Sequence, residues 1–119
     1  THLRAACRTL KDDPQLQYNF LSDVTCVDWF PNDPRFEVVY HLFSIPKKTR
    51  VRLKVQLSAD DARVDSLCPL WPGANFFERE VFDLFGVRFQ EHPNLKRIMM
   101  PDDWDGHPLR KDYPVEGYR

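Results

Sequence analysis

No apolar run in this 119-residue chain approaches the roughly 20 residues a membrane-spanning helix needs, and no signal-peptide pattern opens it. These absences predict a cytosolic protein, or one peripheral on something that is not. The three cysteines, Cys7, Cys26 and Cys68, form no CxxC pair and no Cys/His ladder. A reducing compartment is expected, and a thiolate-held zinc or iron–sulfur centre is not. There is no Gly-rich phosphate loop, no HExxH helix and no Ser/His/Asp order of a known nucleophile motif. Charge of one sign is also lacking. Seventeen Lys and Arg stand against 18 Asp and Glu, a formal -1, which gives no electrostatic reason to expect nucleic acid or an anionic membrane surface. The expected partners are proteins.

What is present is ordinary globular composition, 42% hydrophobic and 29% charged, in a length that suits one domain and is too short for two. Residues 1–119 therefore read as a single domain. The chain begins at Thr1 rather than Met and enters directly into a helical pattern, as a piece of a longer protein would. Leu3, Ala6, Cys7 and Leu10 recur at helical spacing and predict a short amphipathic helix, ended near Asp13-Pro14, that covers one face of a sheet. Residues 18–30 read as a strand closed by the turn Pro31-Asn32-Asp33-Pro34. Residues 36–45 are apolar on both faces, which predicts a strand covered on both. Residues 51–57 alternate with period two and complete a hairpin with it.

A second helical region is expected from about Val64 through Phe85, interrupted or kinked at Pro69 and Pro72-Gly73 and stopped by Gly86. Over residues 86–119, Pro93, Pro101, Pro108 and Pro114 alternate with Trp104, Tyr113 and Tyr118, predicting an extended, irregular tail that runs over a surface and binds a partner. The fold class is α+β in two layers: an antiparallel or mixed sheet of three or more strands, flanking helices and a long irregular C-terminal tail.

On the second helix, Phe77, Val81, Leu84 and Phe85 share a face. Glu80 emerges beside that seam, where an unpaired carboxylate would be costly and needs a cation. Arg79 is placed to bridge Asp83 one turn on, and Lys96-Arg97 and Arg110-Lys111 supply further cations. The plainer alternative is that Glu78, Arg79, Glu80 and Asp83 form a solvated helix face.

The spaced pattern Glu78-Arg79-Glu80-x-x-Asp83-Leu84-Phe85, six residues, His92, three residues, Lys96-Arg97-Ile98-Met99 resembles the signature segment of the complex I C-subunit family, the respiratory-chain NADH dehydrogenase 30 kDa subunit. Ala74-Asn75-Phe76 before it and Gly106-His107-Pro108-Leu109-Arg110-Lys111-Asp112-Tyr113-Pro114 after it extend the likeness, whereas residues 19–23 and 36–40 match only loosely. The resemblance implies a peripheral-arm subunit of a proton-translocating NADH:quinone oxidoreductase. Such a subunit supports electron transfer from NADH to quinone by packing against the quinone-site D subunit of complex I and other peripheral-arm subunits. It implies no active site and no cofactor on this chain, with FMN and iron–sulfur clusters on other subunits, and a peripheral position on the cytoplasmic side of a bacterial inner membrane or the matrix side of a mitochondrial one.

On that reading Glu78, Arg79, Glu80, Asp83, His92, Lys96 and Arg97 form a structural charge network that fixes the helix against the tail. Pro108, Leu109, Arg110, Lys111, Asp112 and Tyr113 combine stiff backbone, an aromatic ring and two cations as an interface segment, with a solvated linker as the alternative. His92 reads as a structural histidine rather than a proton relay. Two rivals stand beside this reading. A membrane-bound energy-converting hydrogenase or related dehydrogenase carries a similar subunit. A small metal-dependent hydrolase would gather His41, His92 and His107 with Glu80 or Asp83 around zinc or manganese, against which the wide spacing of the histidines argues.

Overall fold

In the computed structural model, which describes residues 3–101 and 103–113, the apolar alternation of the first half becomes a three-stranded antiparallel sheet. After helix α1 (Leu3–Asp12), strands β1 (Phe20–Asp28), β2 (Phe36–Ser44) and β3 (Thr49–Leu57) lie in the order β1-β2-β3. The register pairs Val24 with Tyr40 and Tyr40 with Leu53, then Cys26 with Val38 and Val38 with Val55. Partners across a ladder share a face, so this register gathers the large apolar side chains on one side. There they meet Cys7 of α1, Val81 of helix α2 (Ala74–Phe85), and Val64 and Phe89 of the short strands β4 (Arg63–Asp65) and β5 (Arg88–Gln90). The fold is α+β, with the core between this sheet face and the helices.

Three expectations change. Strand β2 is buried along most of its length, but not between two layers. Among the described residues no helix packs on the outer face, and Val39 is covered there by its cross-strand neighbours Thr25 and Lys54. The second helix starts at Ala74, not Val64. Val64 belongs to β4, which pairs in parallel with β5 (Val64 opposite Phe89), because a short apolar run serves a buried strand as well as a helix. Pro69 and Pro72, which have no amide hydrogens, lie in the turns between. Finally, the tail is not wholly irregular, since β5 is its first element. Pro114 and Tyr118 lie outside the described residues.

Gly86 ends α2 in the left-handed region, φ 82°, with its amide donating to the Phe82 carbonyl at 2.8 Å. A Cβ at this position would stand 2.5 Å from Arg110 Nη2 and 2.8 Å from the His107 ring. The glycine therefore serves the turn and admits the tail onto the helix end.

Candidate functional site

An α-helix leaves its last carbonyls without partners inside the helix. At the end of α2 the tail supplies them. The Asp83 carbonyl accepts from Arg97 Nη2 at 3.1 Å and from His107 Nδ1 at 2.8 Å, the Leu84 carbonyl from the Leu109 amide at 3.0 Å, and the Phe85 carbonyl from Arg110 Nε at 2.6 Å. Because His107 faces a carbonyl there, its proton sits on Nδ1. Burial, chiefly, holds its pKa below the ordinary histidine range.

The Asp83 side chain, fully buried, organises the same segment. Its Oδ1 accepts from Arg97 Nε at 2.6 Å, and its Oδ2 accepts the amides of Ile98, Met99 and Met100 at 3.1, 2.6 and 2.8 Å. Burial raises the carboxyl pKa, but Arg97 and the three amides outweigh it and leave Asp83 below its usual range. Arg97 also donates to the carbonyls of Trp104 at 2.8 Å and Gly106 at 2.6 Å. One carboxylate and one guanidinium thus hold the backbone at Ile98, Met99, Met100, Trp104 and Gly106, yet Ile98, Met99 (57% exposed), Trp104 (43%) and Leu109 (53%) stay exposed.

Glu78 is the second fully buried carboxylate. Its Oε1 accepts from the Ser66 hydroxyl at 2.6 Å and the Cys68 thiol at 3.4 Å, and its Oε2 from the Leu67 amide at 2.8 Å. Burial outweighs these donors and the more distant charge of Arg4, and its pKa is raised. His92 Nε2 lies 3.9 Å from Glu78 Oε1 and 3.3 Å from the Asn75 carbonyl, while Nδ1 accepts the Asn94 amide at 2.9 Å. The ring therefore carries its proton on Nε2, and burial keeps it neutral by lowering its pKa.

The ligand atoms of Cys68, Glu78 and His92 lie within 4.8 Å of one another, the one such cluster among the described residues. Its chemistry fits a hydrogen-bonded plug better than a cation. Nε2 is protonated, both Glu78 oxygens are engaged, and burial pushes the Cys68 thiol up to about 11. The hydrolase arrangement does not form: His41 sits on the sheet, His92 beside Glu78, and His107 at the end of α2.

Other predicted residues are placed differently from the helical-face reading. Glu80 is exposed and needs no cation; it borders an apolar groove of about 200 Å³ between α2 and β1. Arg79 does not bridge Asp83. It donates to the carbonyls of Lys96 at 3.1 Å and Arg97 at 3.5 Å, tying α2 to the tail through backbone. Lys96 and Lys111 are exposed and, among the described residues, are held through main-chain groups. Pro108 is half-buried, and Tyr113 donates its hydroxyl to the Asp105 carbonyl at 3.3 Å.

Two residues that sequence reasoning missed complete the tail's attachment. Buried Asp28, at the end of β1, takes Arg35 in a two-pronged pair, both contacts 2.8 Å, and accepts the amides of Phe30 at 3.0 Å and Lys111 at 2.8 Å. Arg35 reaches on to Asp112 at 2.7 Å and stacks 4.8 and 4.9 Å from the rings of Phe30 and Phe36. Burial opposes the Asp28 charge, but these donors hold its pKa at about 2. The available signal was an acid closing one strand of a hairpin and an arginine opening the next.

The family model described as the respiratory-chain NADH dehydrogenase, 30 Kd subunit, matches residues 1–119. The NADH-quinone oxidoreductase C subunit of Citrifermentans bemidjiense is 57% identical over 110 residues, covering 92% of this chain and 67% of that one. That of Geobacter sulfurreducens is 54% identical over 112 residues, covering 93% and 68%. The chain thus spans about two thirds of the length of these relatives. Among solved structures, the trypsin-resistant fragment (1–134) of Nqo5 superposes with TM-score 0.71 at 35% identity, covering 79% of this chain and 76% of that one. A chain of the membrane-bound sulfane sulfur reductase, an archaeal respiratory membrane complex, does so with TM-score 0.76 at 29% identity, covering 96% and 67%. No helix among the described residues is long and apolar enough to cross a membrane.

Proposed function

Since this chain belongs to the respiratory-chain NADH dehydrogenase 30 kDa subunit family, we propose that it is a non-catalytic, architectural subunit of the peripheral arm of a proton-translocating NADH:quinone oxidoreductase. In this role it supports electron transfer from NADH to quinone by packing against the quinone-site D subunit and its neighbours. FMN and the iron–sulfur clusters reside on other subunits, and the chain stays peripheral on the cytoplasmic side of a bacterial inner membrane, or on the matrix side of a mitochondrial one.

The observation that carries this reading is the Asp83 anchor. Three consecutive amides and a guanidinium close on one buried carboxylate, while the side chains they hold, Ile98 and Met99 with Trp104 nearby, face outward. A free domain gains nothing from stiffening an exposed apolar segment. A subunit does, because a preformed surface costs less to order on assembly, and Met and aromatic residues are enriched at interface cores.

A second reading keeps the module and changes the machine. It is favoured by the TM-score of 0.76 to the sulfane sulfur reductase chain over 96% of this one. Both are tested by tagging the chain in its native host, recovering it from gently washed membranes, and identifying its companions by mass spectrometry alongside NADH:quinone activity. Recovery of the quinone-site D subunit with the NADH-oxidising subunits is expected. Hydrogenase or sulfur-reductase subunits in their place would replace the reaction, and recovery of the chain alone would overturn both readings.

A further inference from the structure

The near-balanced total of -1 conceals a strong local asymmetry. Residues 45–57 contain Lys47, Lys48, Arg50, Arg52 and Lys54 and no acid, leaving 12 of the 17 cations against all 18 acids in the rest of the chain. In the fold this stretch is the turn between β2 and β3 together with β3 itself. Arg50, Arg52 and Lys54 alternate, so all three stand on the outer face of the sheet, where no helix packs among the described residues. None of the five forms an ion pair among the described residues; Arg50 instead lies 5.0 Å from the Phe43 ring. Ile45, 58% exposed, adds an apolar contact at the turn. Among the described residues strand β3 is also an edge of the sheet, with one side of its backbone unpaired by any strand.

We propose that the open edge and outer face of β3 dock an acidic, extended segment of a partner polypeptide, which adds to the sheet as a further strand. Side chains on one face of a strand recur about every 6.6 Å, so Asp or Glu at alternate positions of an added strand would fall beside Arg50, Arg52 and Lys54. The backbone edge supplies main-chain hydrogen bonds that only another polypeptide can match, which favours protein over lipid or nucleic acid. A second copy of this chain is disfavoured because its own β3 would bring five more cations to the same edge. The cations that keep identical edges apart are then the ones that select an acidic partner. This surface is independent of the Asp83 segment, so its failure would leave the proposed function standing.

The test uses the full 119-residue chain and a short fluorescein-labelled peptide of alternating Glu and Thr, read by fluorescence anisotropy. Binding is expected at about 50 mM salt and should weaken about tenfold or more by about 300 mM. Arg52→Glu/Lys54→Glu should reduce it about tenfold or more, and Arg52→Gln/Lys54→Gln by an intermediate factor, with the thermal melts of both variants confirming that they fold. A peptide of the same charge interrupted by proline should bind far more weakly, since it cannot complete a ladder. Equal binding of the proline peptide, indifference to both double variants, or binding of phosphatidylserine vesicles without binding of the alternating peptide would each overturn the proposal.

Discussion

Asp83 shows how much one residue carries. It joins the end of α2 to Arg97 and to three successive amides, so Asp83→Asn removes a charge from a fully hydrogen-bonded buried pair. A loss of about 3 kcal/mol in urea unfolding is expected. Arg97→Lys should lose most of the same amount, because an ammonium cannot meet Asp83, Trp104 and Gly106 together as the planar fork does; if Arg97→Lys unfolds like the parent chain, the fork geometry is irrelevant. The sequence pattern located this segment and named Asp83 and Arg97, but it chose Glu80 as the acid in need of a partner where the buried one is Glu78. Helical spacing shows which residues share a face. It is silent on which loop folds over that face, and here the turn at residues 66–68 closes over Glu78. Asp28 and Arg35 were missed for the same reason, since their burial depends on Lys111 and Asp112 arriving from the far end of the chain.

At the level of elements, the tail behaves as the C-terminal cap of α2 rather than as an appendage. Gly86→Ala tests this, because it combines a left-handed backbone cost of about 1–2 kcal/mol with the close approach of Arg110 and His107. The expected result is faster trypsin cleavage after Lys96 and Arg97, together with faster hydrogen exchange at the Ile98, Met99 and Met100 amides. Unchanged exchange would mean that the tail holds without the turn. The three long strands, the first helix and the Gly86 stop were legible because their patterns run for nine residues or more or end in a residue with one conformational role. Strands β4 and β5 were not, since three residues each are too few to display a period.

The molecule as a whole should respond to acid in two stages. His92 and His107 have lowered folded pKa values, so the unfolded chain takes up protons first and stability falls as pH drops through about 6.5. Glu78, raised by burial, works oppositely, favouring the folded state as it protonates. Asp28, Asp83 and Asp112 are all lowered, so their contribution is present above about pH 4 and is lost below it, with Asp28 alone supplying about 2 kcal/mol. Urea midpoints measured from pH 7.5 to pH 3 check this. Asp28→Asn should flatten the lower stage and His92→Gln part of the upper, and a profile that does not change between pH 7 and 5 would contradict the neutral histidines. The long reach of these pairs also sets an order of events during synthesis. At about 5–20 residues per second, Asp83 is made roughly one to three seconds before Arg97, which lies 14 residues on. Asp28 precedes Lys111, 83 residues on, by roughly 4 to 17 seconds. Chains stalled on the ribosome before and after Asp112 should therefore differ in protease resistance. A half-made chain keeps both carboxylates in water, so the outer surface of the segment that Asp83 and Asp28 hold forms only once the tail has been translated.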